Sequence, residues 1–268
     1  MKYFIDTEFL EGTQKRRIGN IELPKYFNTK NTIDLISIGI VVEDRTEYYA
    51  ISKDFNLKEA WNRWEQRTGE GDRNNINPRL YWIRENVLKN IYEELYTFEV
   101  NLIVQTCEIN LKYGLNEYYK TPKYLNKFSY KSLKYLINKY GKTNKQIAED
   151  IKVFIDLKEA APIRHYKPEF YGYYSDYDWV AFCWLFGKMI DLPKGFPMYC
   201  IDLKQILDEK QNSKPNIQRV SWNNQGDKTI EECFLIKNDP NYPKQTNEHN
   251  ALSDARWNFE LYKFLNTL

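Results

Sequence analysis

The first apolar run, "KYFID" (Lys2 to Asp6), predicts a short buried strand, and Thr7 and a second acid, Glu8, follow it at once. Ile33 to Val42, "IDLISIGIVV", is long and β-branched enough for a central strand. A turn at Glu43-Asp44-Arg45 leads from it into "TEYYAIS", whose alternation predicts a third strand. The three predict an antiparallel meander. At Leu57 the period changes: Trp61 and Trp64 stand three apart, and beyond Asn77-Pro78 the positions Leu80, Ile83, Val87, Leu88, Ile91 and Leu95 fall on one helical face. Helical pattern continues to about Leu157, with breaks near Thr121-Pro122 and Gly141. "EFYGYY" (Glu169 to Tyr174) then predicts a strand, and "DYDWVAFCWLFG" a helix stopping at Gly187. "MYCIDLKQIL" (Met198 to Leu207) predicts another strand and helix, and "NALSDARWNFELYKFLNTL" an amphipathic helix. Three strands, a block of helices, and a strand-helix-strand-helix series predict an α/β or α+β sheet flanked by helices. With neither an internal repeat nor a clean linker, one elaborated domain is expected.

Composition adds little on its own. The 268 residues carry a formal charge of +2, with acids and bases nearly balanced. Cys107, Cys183, Cys200 and Cys233 form no C-x-x-C pair, which argues against a zinc ribbon or a dense disulfide framework and for reduced thiols in a cytoplasmic protein. Asp6 and Glu8 interrupt what a signal peptide would keep apolar, and Leu35 to Val42 is too short to span a bilayer, so no membrane association is expected. Abundant Lys, Asn, Ile, Tyr and Phe follow A/T-rich codons, so only local departures count.

One departure is sharp. Between Asn110 and Gln146 nine lysines face a single acid, Glu117, giving +8 there and −6 for the rest. Seven tyrosines, among them Tyr113, Tyr124, Tyr135 and Tyr140, are interleaved. Such a segment reads either as a groove for a phosphate backbone with stacking rings or as a helical hairpin whose tyrosines are its own core.

Candidate chemistry lies in the acids. Residues two apart on a strand share a face, so Asp6 and Glu8 converge on one surface and repel unless a cation lies between them. Asp176 or Asp178 opens a predicted helix at a strand end, where an aspartate is an ordinary N-cap but where open α/β sheets also bind ligands. His165 sits in a proline-flanked loop, whereas His249 precedes the last helix with Asp254 five residues on. Singly these are weak signals. Together, Asp6, Glu8, Asp178 and Asp254 are an oxygen donor set suited to Mg2+ or Mn2+, and two such ions about 3.5–4 Å apart support phosphodiester hydrolysis. A histidine at position 249 is a general base for the attacking water.

"FIDTEF", "YDWVAF" and "HNALSD" resemble the three motifs of the DEDDh 3'-5' exonuclease superfamily, which has an RNase H-like fold. More narrowly, "YFIDTEFLEG", "YWIRENVL" and "WVAFCWLFG" resemble RNase AS-like 3'-5' exoribonucleases, over roughly half the chain. The resemblance implies two metal ions on Asp6, Glu8, Asp178 and Asp254, with His249 as base. It implies that the peptide around Thr7, Phe9 and Leu10 meets the terminal nucleotide, an aromatic or leucine wedging against its base, although Phe9 reads equally as core. It also implies a homodimer, an RNA 3' end as substrate and, for some members, adenylate preference. Segments of about 10–32, 92–142 and 212–247 depart from the pattern as insertions. A DNA 3'-5' exonuclease and a binding module with a decayed site are the alternatives, the latter opposed by the complete set of five residues.

Overall fold

The computed structural model describes residues 1–18, 21–66, 79–113, 122–159, 167–213, 220–222, 228–230 and 235–268. Its centre is a five-stranded mixed sheet built from β1 (Lys2–Gly12), β2 (Thr32–Val42), β3 (Glu47–Ile51), β4 (Glu169–Gly172) and β5 (Ile201–Asp202), in the order β3-β2-β1-β4-β5. β1, β2 and β3 form the expected antiparallel meander, and β4 and β5 add in parallel. Helices α1 (Leu57–Asn62), α2 (Lys89–Lys112), α3 (Tyr130–Tyr140), α4 (Asn144–Glu159), α5 (Asp176–Phe186), α6 (Leu203–Ser213) and α7 (Ala251–Leu265) flank it, an α/β fold. Among the described residues no helix is long and apolar enough to cross a membrane.

Strand periodicity sorts the core. Tyr3 and Ile5 pack with Ile38, Ile151 and Phe182 on the face covered by α4 and α5, while Phe4 packs with Val41, Leu203 and Phe259 on the face of α6 and α7. A strand buried on both faces reads as a continuous apolar run, which is why "YFI" and "LISIGIVV" lack alternation. A third cluster places Leu10 and Ile36 against Val87, Leu88 and Ile91 of the segment entering α2 and Leu133 and Leu136 of α3.

Several boundaries move from expectation. β1 does not stop at Asp6 but runs to Gly12, because pairing with β2 continues after a register shift between Glu8 and Phe9. Such a bulge re-aims the side chains around it. Leu80 lies in a two-residue strand, not in the helix, and Ile83–Leu88 is a π-helical turn preceding α2. Trp64 falls beyond the end of α1 and is exposed. Where expected, α5 ends at Gly187, whose φ of 114° a side chain would resist. Among the described residues Cys183 and Cys200 are free thiols, whereas Cys233 and His165 lie outside the described residues.

Candidate active site

β4 pairs with β1 only from Lys2 to Phe4, leaving the further edge of β1 open at the point where its acids begin. The Thr7 N–H, without a strand partner on that edge, donates to Asp178 Oδ1 at 2.9 Å, and the Thr7 hydroxyl donates to the same oxygen at 2.6 Å. Asp178 is buried in the first turn of α5, whereas Asp176 is exposed to solvent. The N-cap position expected of one of these aspartates belongs to Ser175.

From the opposite face comes α7. Asn250 caps it, accepting from the Ser253 N–H at 3.0 Å, and Asp254 sits buried in its first turn. Asp254 Oδ2 accepts the His249 N–H at 2.9 Å and Oδ1 accepts from Gln245 Nε2 at 2.6 Å. One turn further, the buried Asn258 donates to the Ile5 carbonyl at 2.9 Å, fastening α7 to the residue before Asp6. His249 holds a φ of 64°, a conformation uncommon for a residue with a side chain and one that recurs at functional sites. Its ring meets Trp82 edge-on with centroids 4.6 Å apart, and Asn90 of α2 donates to the Glu248 carbonyl at 3.0 Å.

These elements bring Asp6, Glu8 and Asp254 together: one carboxylate oxygen of each lies within 4.8 Å of the others. Burial, then Asp178, Glu8 and Asp254 in that order, push the Asp6 carboxyl well above the ordinary aspartate range. Glu8 is raised by burial and by Asp254 and Asp178. Asp178 is pushed up to about 7, chiefly by burial, with the Thr7 hydrogen bonds opposing. Asp254 is raised by burial while Gln245 and the His249 N–H oppose. No lysine or arginine is among the residues lining this cavity of about 280 Å³, which holds all five expected residues. Converging oxygen donors whose charged forms repel are a fit for a divalent cation.

A second cleft of about 670 Å³ shares Glu8 and Phe9 with the first and is walled by Trp82, Tyr177, Trp184 and Arg63. Phe9 is half-buried and meets the Tyr177 ring edge-on at 5.8 Å, so its face is shared between packing and the cleft. Leu10 differs from expectation. It has no exposed surface and fills the core beside Ile36, since the bulge after Glu8 places it under the sheet; its side chain is not available to wedge a base. Thr7 is nearly buried, with its N–H and hydroxyl both turned to Asp178.

Gln245, Asn258 and Gly39, which the sequence reading did not single out, position the group. Only the proximity of Gln245 and Asn258 to "HNALSD" could have drawn attention to them.

Comparison with known proteins gives the class, that of 3'-5' exoribonucleases. Residues 25–265 match the profile of the 3'-5' exoribonuclease Rv2179c-like domain, and the chain belongs to this family. It is 25% identical over 210 residues, 78% of this chain and 76% of the other, to 3'-5' exoribonuclease Rv2179c of Mycobacterium tuberculosis (strain ATCC 25618 / H37Rv). The same identity and coverage hold for 3'-5' exoribonuclease MT2234.1 of strain CDC 1551 / Oshkosh. The matched span begins after Asp6 and Glu8, whose place beside Asp254 rests on the geometry above.

Proposed function

We propose that the protein is a metal-dependent 3'-5' exoribonuclease of the DEDDh type on an RNase H-like fold, releasing nucleoside 5'-monophosphates from single-stranded RNA 3' ends. The observation that carries this is the convergence of Asp6, Glu8 and Asp254 within 4.8 Å, beside His249 and the buried Asp178.

Asp6, Glu8, Asp254 and Asp178 would hold two Mg2+ or Mn2+ ions, which when bound supply Lewis-acid activation of water and charge stabilisation on the phosphodiester. Asp254 anchors the His249 backbone through the 2.9 Å N–H bond, fixing where the imidazole hangs. The imidazole takes the proton of the attacking water as its oxygen bonds to phosphorus. The bond from phosphorus to the 3'-oxygen of the penultimate nucleotide then breaks, and that oxygen leaves and is protonated. Phe9, with Tyr177 at its edge, offers a ring for the terminal base, a contact that tolerates any base. From the family resemblance alone we add that the protein is a homodimer, which light scattering reads.

The test uses matched 5'-labelled and 3'-labelled RNA and DNA oligomers with Mg2+, Mn2+ or EDTA. Stepwise shortening of the 5'-labelled RNA, lost in EDTA and in Asp6→Ala and His249→Ala with the fold intact, is the expected result. Undiminished hydrolysis in both variants would sink the mechanism, and faster cleavage of DNA would assign the enzyme to DNA.

A further inference from the structure

Within the lysine- and tyrosine-rich segment, of which residues 114–121 lie outside the described residues, two sets of side chains differ in their partners. Lys139 donates to both oxygens of Glu99, at 2.9 and 2.7 Å, and Lys142 pairs with Asp150 at 2.6 Å. Tyr135 and Tyr140 are half-buried against the core cluster of α2 and α3. These residues build the hairpin and are spoken for.

Lys127, Lys131 and Lys134 are not. All three are exposed, and Lys131 and Lys134 ride the side of α3 opposite the buried Leu133, Leu136 and Ile137. No acidic side chain pairs with any of them among the described residues. They belong to the stretch of local charge +8, where codon usage explains lysines but not missing acids.

This face continues from the aromatic cleft. Arg63 lines that cleft, and two residues before it Trp61 packs its ring on Phe128 and Tyr130, with centroids 5.0 and 5.8 Å apart. Phe128 and Tyr130 lie between Lys127 and Lys131 in the chain, so Trp61 packs against the segment where the lysine face starts. At either end a cation sits over a ring: Arg79 over the exposed Trp64 at 4.7 Å, and Lys131 over Tyr124 at 4.6 Å.

We propose that the outer face of α3 and the segment entering it, Lys127 to Lys134, is a second RNA-binding surface, holding the upstream, 5' portion of a single strand whose 3' end occupies the acidic cleft. Cations spaced along an element suit a phosphate backbone, and exposed rings suit unpaired bases, a combination that favours single-stranded RNA over an acidic protein. The proposal rests on the exoribonuclease reading above, but concerns how substrate is held and not how it is cut.

The test is the triple variant Lys127→Gln, Lys131→Gln, Lys134→Gln, compared with the wild type on a long single-stranded RNA and on a dinucleotide across a salt series. For the long RNA, kcat/KM is expected to fall about tenfold through KM, and its log-log salt slope to become shallower by about 2, near 0.7 for each lost phosphate contact. Dinucleotide turnover is expected to be unchanged. Unaltered long-RNA kinetics and salt slope, the result expected of a face serving a protein partner, would overturn the proposal, as would an equal loss on both substrates. Fluorescence anisotropy in EDTA separates the two readings. A wild type that binds long RNA more tightly than the variant in EDTA, yet with Mg2+ or Mn2+ hydrolyses neither substrate, supports this surface and sinks only the catalytic reading.

Discussion

Gly39 of β2 lies opposite Asp6 of β1, and the first turn of α7 rests directly on it: a β-carbon there would lie 2.5 Å from Leu252 Cα and closer still to the Ala251 carbonyl oxygen. The close approach carries Asp254 down to Asp6. In Gly39→Ala the obstacle is backbone, which cannot turn aside as a flexible side chain does, so α7 must lift. Displacement of a reacting group by about 1 Å costs on the order of 100-fold in rate. Exonuclease kcat is therefore expected to fall about 100-fold while circular dichroism still reports a folded protein. Wild-type kcat in the variant would show that α7 does not need this contact.

The acidic group repels itself when no cation is bound. Asp178→Asn removes one charge yet keeps an oxygen to accept from Thr7. In EDTA at neutral pH the variant is expected to melt a few degrees above wild type. Added Mn2+ at a hundredfold excess over Kd is expected to stabilise wild type by about 2.7 kcal/mol, an increase of about 5–10 °C for a chain of this size, and the variant by less. Differential scanning fluorimetry measures both; a wild-type Tm indifferent to Mn2+ would count against the cation site.

Trp82 is more than a third exposed, so its loss should spare stability, but its ring is the surface against which the His249 imidazole stands. Trp82→Ala is expected to lower kcat about tenfold with KM on a dinucleotide little changed, while Trp82→Tyr retains most activity. A loss confined to KM would make Trp82 a substrate contact instead of a positioning residue.

Glu99 ties α2 to α3. Burial opposes its charge, but the Lys139 ammonium and Tyr140 hydroxyl outweigh this and hold its carboxyl below the ordinary glutamate value of 4.5. A lowered folded-state value gives stability that is present above 4.5 and is lost as pH falls through the folded value. With the Lys139 side chain 40% exposed, water screens the pair. Glu99→Gln is expected to cost about 1 kcal/mol at pH 7 and about 2–4 °C in Tm, with the gap closing under acid. A gap that persists in acid would assign the effect to packing.

Periodicity exposed the chemistry-bearing residues more readily than the contacts that place them. Asp6 and Glu8 could be set on one face by counting to two, and the helix after "HNALSD" by its apolar spacing. Periodicity does not separate Asp176 from Asp178, since both stand in a first turn; the resemblance of "YDWVAF" favours Asp178, and the Thr7 bonds at the open edge of β1 show where it is held. Gly39 works by the absence of a side chain, and Asn258 by one hydrogen bond across the molecule; neither leaves a local pattern. β1 seemed to end at Asp6 because Asp6, Thr7 and Glu8 interrupt the apolar run, yet β2 keeps pairing beyond them. In α3 the tyrosines of the hairpin reading, Tyr135 and Tyr140, pack half-buried against the core, whereas Lys131 and Lys134 face outward, an exposure that periodicity alone does not assign to a ligand.

The hydrogen bond from Asn258 to Ile5 joins residues 253 apart. Closing a loop of that length costs about 5 kcal/mol in chain entropy, so the contact forms late, after shorter-range elements such as the β1–β2 hairpin have repaid part of the cost. A partly folded chain therefore carries its acids on separate pieces and is catalytically silent. Cleavage begins only when folding is finished, and recovery of activity after dilution from denaturant should follow the slowest folding phase.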